Sequence, residues 1–251
     1  MFDCHAHMYD AVFDEDRTGV LARAKEAGVI AIIGVGENLA DARKNMDLAK
    51  THPMLKPAAG LYPTILDSDQ ADELIAFIRQ NRPQLAAIGE VGLDYRVVTG
   101  DQDRAQQREI FGQFIALSRE LDLPLNVHAR SAGRHAVALL LDHQASKVQM
   151  HAFDGKASAA LPAVEAGYFF SIPPSVIRSR QKQKLVKQLP LSCLLVETDS
   201  PVLGPVPGQR NEPANLMVSI QTIAQIKGVP THAVVEAVTH NARCLYGRVF
   251  E

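Results

Sequence analysis

Along the chain, short apolar runs alternate with longer stretches whose apolar residues recur at helical spacing. The runs are FDCHAH (2–7), VIAIIGVG (29–36), LKPAAGLYP (55–63), AAIGEVGLD (86–94), LPLNVHAR (123–130), KVQMHAFDG (147–155), YFFSI (168–172) and CLLVETDSP (193–201), eight in all. Runs this short read as strands, whereas DELIAFIRQN (72–81) and REIFGQFIALSREL (108–121) carry the period of amphipathic helices. KEAGVIAII and VEAGYFFSI share one device. A glycine stands where a helix ends in the left-handed conformation, and the next strand begins at once. Residues 211–247 add two amphipathic helices broken by GVP. Eight strand–helix units in 251 residues predict an α/β fold, a (β/α)8 TIM barrel forming one domain over 1–251. A doubly wound open sheet is the alternative that strand count alone leaves open.

Side-chain parity sharpens this picture. Successive residues of a strand face opposite sides. Polar residues keep to one parity in five of the runs: Asp3, His5 and His7; Glu90 and Asp94; Asn126, His128 and Arg130; Gln149 and His151; Glu197 and Asp199. The other parity is apolar or small, as in Leu125, Val127 and Ala129, or Leu194 and Val196. Buried polar groups must be paired or bound to something. Five strands aiming polar atoms to one side predict a barrel with a polar axis near its carboxyl mouth, where barrel enzymes place their chemistry.

Composition changes the picture in three respects. No apolar run approaches the length of a membrane-spanning helix. The N-terminus lacks a basic stretch followed by an apolar core, so no secretory signal is expected. Cys4, Cys193 and Cys244 are dispersed without CxxC spacing, which predicts reduced thiols and a cytoplasmic protein. A net charge of −2 excludes the overall basic field of a nucleic-acid coat protein, but not a nucleic acid held locally as substrate. Nothing in the sequence calls for an obligate protein partner.

The chemistry gathers at the strand ends: His5, His7, Glu90, His128, His151 and Asp199. Singly, His128 or His151 reads as a satisfied core histidine, Glu90 as a salt-bridge partner and Asp199 as a turn cap. Jointly, four imidazoles and two carboxylates exceed what one zinc-like ion needs. They suit two divalent cations sharing a carboxylate, which activate water and stabilise both oxygens of an in-line displacement. The fourth run contains no lysine, so Glu90 is the bridging candidate. Mixed imidazole and carboxylate donors suit Mg, Mn or Zn. Asp3 and Glu197, two residues before a proposed ligand on their own strands, are expected to orient imidazoles from behind. His52, His135, His143, His232 and His240 fall in helical or loop positions and take no role.

FDCHAH, IGEVGLDY, PLNVHAR, HAFDG, LPLSCLLVETDSPVLGP and GQRNEPANL together resemble the TatD family of metal-dependent deoxyribonucleases over essentially the whole chain. The resemblance implies a barrel of the metal-dependent hydrolase type with a binuclear site. His5, His7, Glu90 and Asp199 would hold one ion, and Glu90, His128 and His151 the other. It implies hydrolysis of DNA phosphodiester bonds, commonly from the 3′ end. Water activated by the ions would attack phosphorus while Asp199 takes its proton, making Asp199 and Glu90 the catalytic residues. Arg130 and Arg210 are candidates to steady phosphate oxygens. For Arg210, tethering the RNEP loop to the barrel is the equal alternative. Arg178 and Arg180 in IRSRQKQKLVK (177–187) either track a DNA backbone or belong to a solvated helix face.

Three positions depart from the family pattern: Tyr62 where G-x-H-P has histidine, Tyr9 (followed by Asp10) where aspartate follows the second histidine, and Arg134 where an acid is usual. None removes a proposed ligand; all bear on the substrate. Two further functions therefore stand beside the nuclease. One is a hydrolase of another small ester, amide, lactone or phosphomonoester, since fold and metals do not fix the substrate. The other is a non-catalytic metal-bound scaffold.

Overall fold

The computed structural model describes residues 1–247, so the last four positions of the expected 1–251 unit lie outside the described residues. Eight parallel strands follow one another around a barrel in the order β1 to β8. They are β1 (Phe2–Ala6), β2 (Ala31–Gly34), β3 (Leu55–Ala59), β4 (Ala87–Asp94), β5 (Leu125–Arg130), β6 (Val148–Met150), β7 (Phe169–Ile172) and β8 (Leu194–Val196). Each lies within one of the eight apolar runs. Backbone bonds at the β8–β1 seam run from Asp199 N–H to the His5 carbonyl (2.8 Å) and from His7 N–H to the Ser200 carbonyl (2.8 Å). The residues that close the cylinder are thus neighbours of, or identical with, the proposed ligands.

Helices α1 (Arg17–Glu26), α2 (Leu39–Thr51), α3 (Ser68–Asn81), α4 (Asp101–Leu121), α5 (Gly133–Asp142), α6 (Ala157–Glu165), α7 (Arg180–Gln188), α8 (Leu216–Lys227) and α9 (Thr231–Tyr246) surround the sheet. Asn38 and Asp67 cap α2 and α3 by accepting backbone N–H bonds. Caps of this kind contribute about 1 kcal/mol each. Gly28 and Gly167, just beyond α1 and α6, adopt φ of +84° and +81°. These are the two glycines whose sequence setting predicted a left-handed stop. The outward faces of the strands, including Ile32, Ile88, Val127 and Val196, pack into one apolar layer beneath the helices. No helix among the described residues is long and apolar enough to cross a membrane.

The barrel's inner floor is a second, smaller apolar cluster: Phe2, Cys4, Ala31, Ile33, Ala87 and Leu195, covered by Tyr246 from α9. Above it the Tyr246 hydroxyl donates to Gln149, and Asn126 donates both to Tyr246 (3.4 Å) and to the Cys4 carbonyl (2.9 Å). The polar axis predicted from parity therefore rests on a plug that ties β1, β5 and β6 to the last helix.

Two irregularities in register set the site. Pairing of β1 with β2 slips between Asp3 and Ala6, and pairing of β4 with β5 slips between Ile88 and Val91. An extra residue in a strand re-aims the side chains beside it. At β4 this turns Glu90 inward beside His128. The strand then passes so close to β5 at Gly92 (φ +144°) that a Cβ there would lie 2.1 Å from the His128 carbonyl oxygen. At β1 the slip separates Asp3, which pairs opposite Ile32 of the outer layer, from the inward-facing His5.

Gly92→Ala is expected to lower stability by about 3 kcal/mol, because backbone must move to admit the methyl group. That corresponds to a fall in Tm of roughly 6–12 °C. Gly167→Ala, at positive φ but with nothing within 4 Å of the new Cβ, should cost only about 1–2 kcal/mol. Thermal denaturation of the two variants checks the order; equal losses would remove the close-approach argument.

Candidate metal centre

Each of the four imidazoles divides its nitrogens in the same way. One nitrogen faces the wall, where three of the four find a hydrogen-bond partner, and the other faces a common space. His5 Nδ1 donates to Asn126 Oδ1 (2.8 Å), whose amide orientation follows from its own donation to the Cys4 carbonyl. His151 Nδ1 meets Glu197 Oε2 at 2.9 Å. His128 Nε2 meets Asp94 Oδ2 at 3.1 Å, leaving Nδ1 toward Glu90 Oε1 at 2.6 Å. His7 Nδ1 has no hydrogen-bond partner among the described residues, the Glu37 carboxylate standing 4.0 Å away at the cavity wall. The remaining nitrogens converge. His5 Nε2 and His7 Nε2 are 3.3 Å apart, and Asp199 Oδ1 lies 3.4 Å from the first and 3.2 Å from the second. Glu90 Oε2 is 3.7 and 3.6 Å from the same pair, while its Oε1 is 3.8 Å from His151 Nε2. The His5 and His151 rings stack with centroids 3.6 Å apart.

Three overlapping triads result: His5–His7–Glu90, Glu90–His128–His151 and His5–His151–Asp199. Within each, the donor atoms lie within 4.8 Å of one another. All six residues are buried, none more than 8% exposed. Burial opposes charge on Glu90 and Asp199, but the surrounding imidazoles hold both carboxyls below their usual range. Burial likewise opposes protonation of His7 and His128. Asp199 and Glu90 at the first, and Asp94 and Glu90 at the second, nevertheless raise each to about 9. His5, buried and crowded by His151, is lowered to about 4. Buried carboxylates of this density demand positive charge at the same place. The His5 and His7 Nε2 atoms face each other at 3.3 Å, and with the His5 proton held on Nδ1 by Asn126 its Nε2 is left to offer an electron pair to an acceptor between them. The donor set fits divalent cations on both counts.

The centre opens into a cavity of about 570 Å³, lined on one side by Glu37 and Tyr62 and on the other by Gln181 and Lys182. Arg130, at the end of β5, is half-exposed in this cavity, with one guanidinium nitrogen 2.8 Å from Asp94 Oδ2. Lys182 Nζ donates to the Ala152 carbonyl (2.9 Å). Its burial lowers the ammonium's pKa, a trend opposed by Glu197, Asp154 and Asp199. The Tyr62 ring lies with its centroid 5.1 Å from that of His128. The Tyr9 ring flanks His7, with its hydroxyl engaged by Asp41. Arg134 does not line the cavity; its Nε is 3.2 Å from His135 Nε2.

Two expectations are corrected. Asp3 does not orient an imidazole: it accepts from the Thr198 N–H (2.8 Å) and hydroxyl, fixing the segment that carries Asp199. The slip in β1 register, invisible in the alternation of FDCHAH, is the reason. Asn126 takes the imidazole-orienting place instead; its parity with His128 was the available signal. Arg210 points away from the cavity. It grips Asp16 with both terminal nitrogens (2.8 and 2.6 Å), donates to the Val12 carbonyl and covers the Phe13 ring, tethering the RNEP loop near α1. Arg178 and Arg180 are also absent from the cavity lining, where Ser179, Gln181 and Lys182 of the same stretch appear. Glu197, by contrast, meets the ring of His151.

A closed β/α barrel that gathers imidazoles and carboxylates above its strand ends has the architecture of a metal-dependent hydrolase. The family model described as TatD related DNase matches residues 2–247, and the chain belongs to that family. It is 44% identical to the human protein named deoxyribonuclease TATDN3, over 99% of this chain and 95% of the relative. It is 31% identical to the Erwinia tasmaniensis protein named 3′-5′ ssDNA/RNA exonuclease TatD, over 98% of this chain and 99% of that one. Among solved structures, YJJV, a TatD homologue from Escherichia coli, superposes with a TM-score of 0.90 at 25% identity, over 98% of each chain.

Asn126→Ala should weaken divalent-cation affinity by about 10–100-fold, since it frees the His5 ring. Arg210→Ala should leave that affinity unchanged. Calorimetric titration with Mn²⁺ checks the pair, and a larger loss in the Arg210 variant would reverse the assignment.

Proposed function

We propose that this chain is a divalent-metal-dependent hydrolase of DNA phosphodiester bonds that removes nucleotides from a strand's 3′ end. One observation carries the reading: six buried imidazole and carboxylate donors meet at the base of a cavity whose wall also presents an arginine and a lysine. His5, His7, Glu90 and Asp199 would hold one cation, and Glu90, His128 and His151 a second, with Mg, Mn or Zn compatible with these donors. Bound there, such cations lower the pKa of water and offset charge developing on phosphate oxygens.

The chain's own groups do the rest. Asp199, which ligation would require to be ionised, takes the proton of the attacking water. Asp94 fixes Arg130 so that its remaining N–H groups address a phosphate oxygen, and Lys182 offers an ammonium from the opposite wall. A cavity of about 570 Å³ is the size of a small-ligand site, which favours a strand end over the middle of a duplex. The name of the Erwinia relative supports the polarity and the single-stranded substrate. Free thiols at Cys4, Cys193 and Cys244 accord with the expected cytoplasmic setting.

With Mg²⁺ or Mn²⁺, end-labelled single-stranded DNA should shorten progressively from its 3′ end, and chelation should stop the reaction until metal is restored. Asp199→Asn should lose about 10²–10⁴-fold in kcat, with a Tm close to that of the parent. Turnover confined to amides, lactones or phosphomonoesters would replace the nuclease reading with the broader hydrolase one. Metal binding without any turnover would support a scaffold.

A further inference from the structure

A second concavity, of about 320 Å³, lies between α6 and α7. Its charged lining is wholly basic: Lys156 at the start of α6, and Lys184 and Lys187 along α7, with the hydroxyl of Ser158 and the amide of Gln188 between them. All three lysines are exposed, and among the described residues their ammonium groups make no hydrogen bond or ion pair. Elsewhere on the surface Lys44, Lys50 and Lys147 each meet a carboxylate, at 3.2, 2.7 and 2.7 Å.

Helix α7 departs from the charge pattern a merely solvated helix favours. Arg180, Lys182, Lys184 and Lys187 fall within nine residues that include no acid. Arg180 and Lys182 in the first turn oppose the helix dipole, whereas Lys187 in the last turn favours it. Like charges spaced as Arg180–Lys184 and Lys184–Lys187 repel across one face. A run of like charges with no acid among them gives this face a positive field that favours an anionic ligand. Helix α7 contributes to both concavities. Gln181 and Lys182 line the catalytic cavity, while Gln181 Nε2 binds the Phe153 and Gly155 carbonyls (3.2 and 2.7 Å). Lys182 Nζ binds the carbonyl of Ala152. The 152–155 loop, clasped by α7 in this way, is the divide between cavity and groove, and Lys156 stands immediately beyond it. A net charge of −2 for the whole chain makes this concentration local.

We propose that the groove between α6 and α7 binds the phosphodiester backbone of a single-stranded nucleic acid through Lys156, Lys184 and Lys187 while the strand's end occupies the metal cavity. The proposal rests on the nuclease reading for the occupant of the cavity, but the groove is testable apart from it. Each lysine pairs with a phosphate and releases a condensed counterion, so the contribution is sequence-independent and falls with salt. Strands too short to pass the 152–155 loop gain nothing from it.

The test compares the metal-loaded protein with its Lys156→Gln/Lys184→Gln/Lys187→Gln variant on oligothymidylates of roughly 3 and roughly 15 nucleotides and on bis(p-nitrophenyl) phosphate. The KM for the longer strand should rise about tenfold or more, and the slope of log affinity against log salt should fall by about 2. Values for kcat, the short strand and the small diester should stay unchanged, and the triple Lys→Arg variant should restore the longer strand's KM. An unchanged KM and salt slope would overturn the proposal, as would an equal loss on all three substrates. Anisotropy of the labelled longer strand with metal-free protein separates the two readings. Salt-sensitive binding lost in the glutamine variant supports the groove even if no DNA is cut. Absence of that binding in the parent protein overturns the groove even if DNA is cut.

Discussion

Four imidazoles at the barrel mouth can face one another only because their far sides are governed by the wall. Asn126, Asp94 and Glu197 each hold one ring nitrogen, and Glu37 stands nearest to the fourth. The near nitrogens and the carboxylates of Glu90 and Asp199 are thereby brought together in a space with little water to solvate them. Such a set is stable only if positive charge is shared within it, as protons or as metal ions. The need for positive charge there explains why the site is buried yet opens to a cavity, and why the carboxylates stay ionised.

The barrel's construction serves the same requirement. Asp199 N–H donates to the His5 carbonyl where β8 meets β1, so the seam of the cylinder and the edge of the candidate metal centre coincide. Asp3 braces the same seam by fixing Thr198, one residue before Asp199. From beneath, Tyr246 supports Gln149 and Asn126, and Asn126 supports His5. The last helix is thus coupled to the first strand's candidate ligand, His5, through a polar column along the barrel axis. Where β4 crosses β5, the absence of a side chain at Gly92 lets Glu90 and His128 approach within a hydrogen bond of one another.

Much of this was legible in the sequence because strand parity and strand ends are local properties. The eight runs, the two glycine stops and the six convergent residues follow from alternation and from the unlikelihood of so many polar groups on one face. What escaped was non-local or irregular. The slip in β1 leaves no trace in FDCHAH, since Cys4 is small enough to suit either face, so Asp3 was misplaced. Arg210 finds Asp16 across 194 positions, a pairing that no spacing announces. Lys182 and the basic groove were hidden in a stretch whose charges read equally well as solvated; only the packing of α7 against the 152–155 loop distinguishes the inward lysine from its neighbours. Tyr62 was visible as a departure, but its position against His128 was not.

The most direct test of the central claim is anomalous diffraction from crystals grown with Mn²⁺. The account predicts two peaks, one among His5, His7, Glu90 and Asp199 and one among Glu90, His128 and His151, with the Glu90 carboxylate between them. Density at neither place, in protein whose fold is otherwise as described, would contradict it.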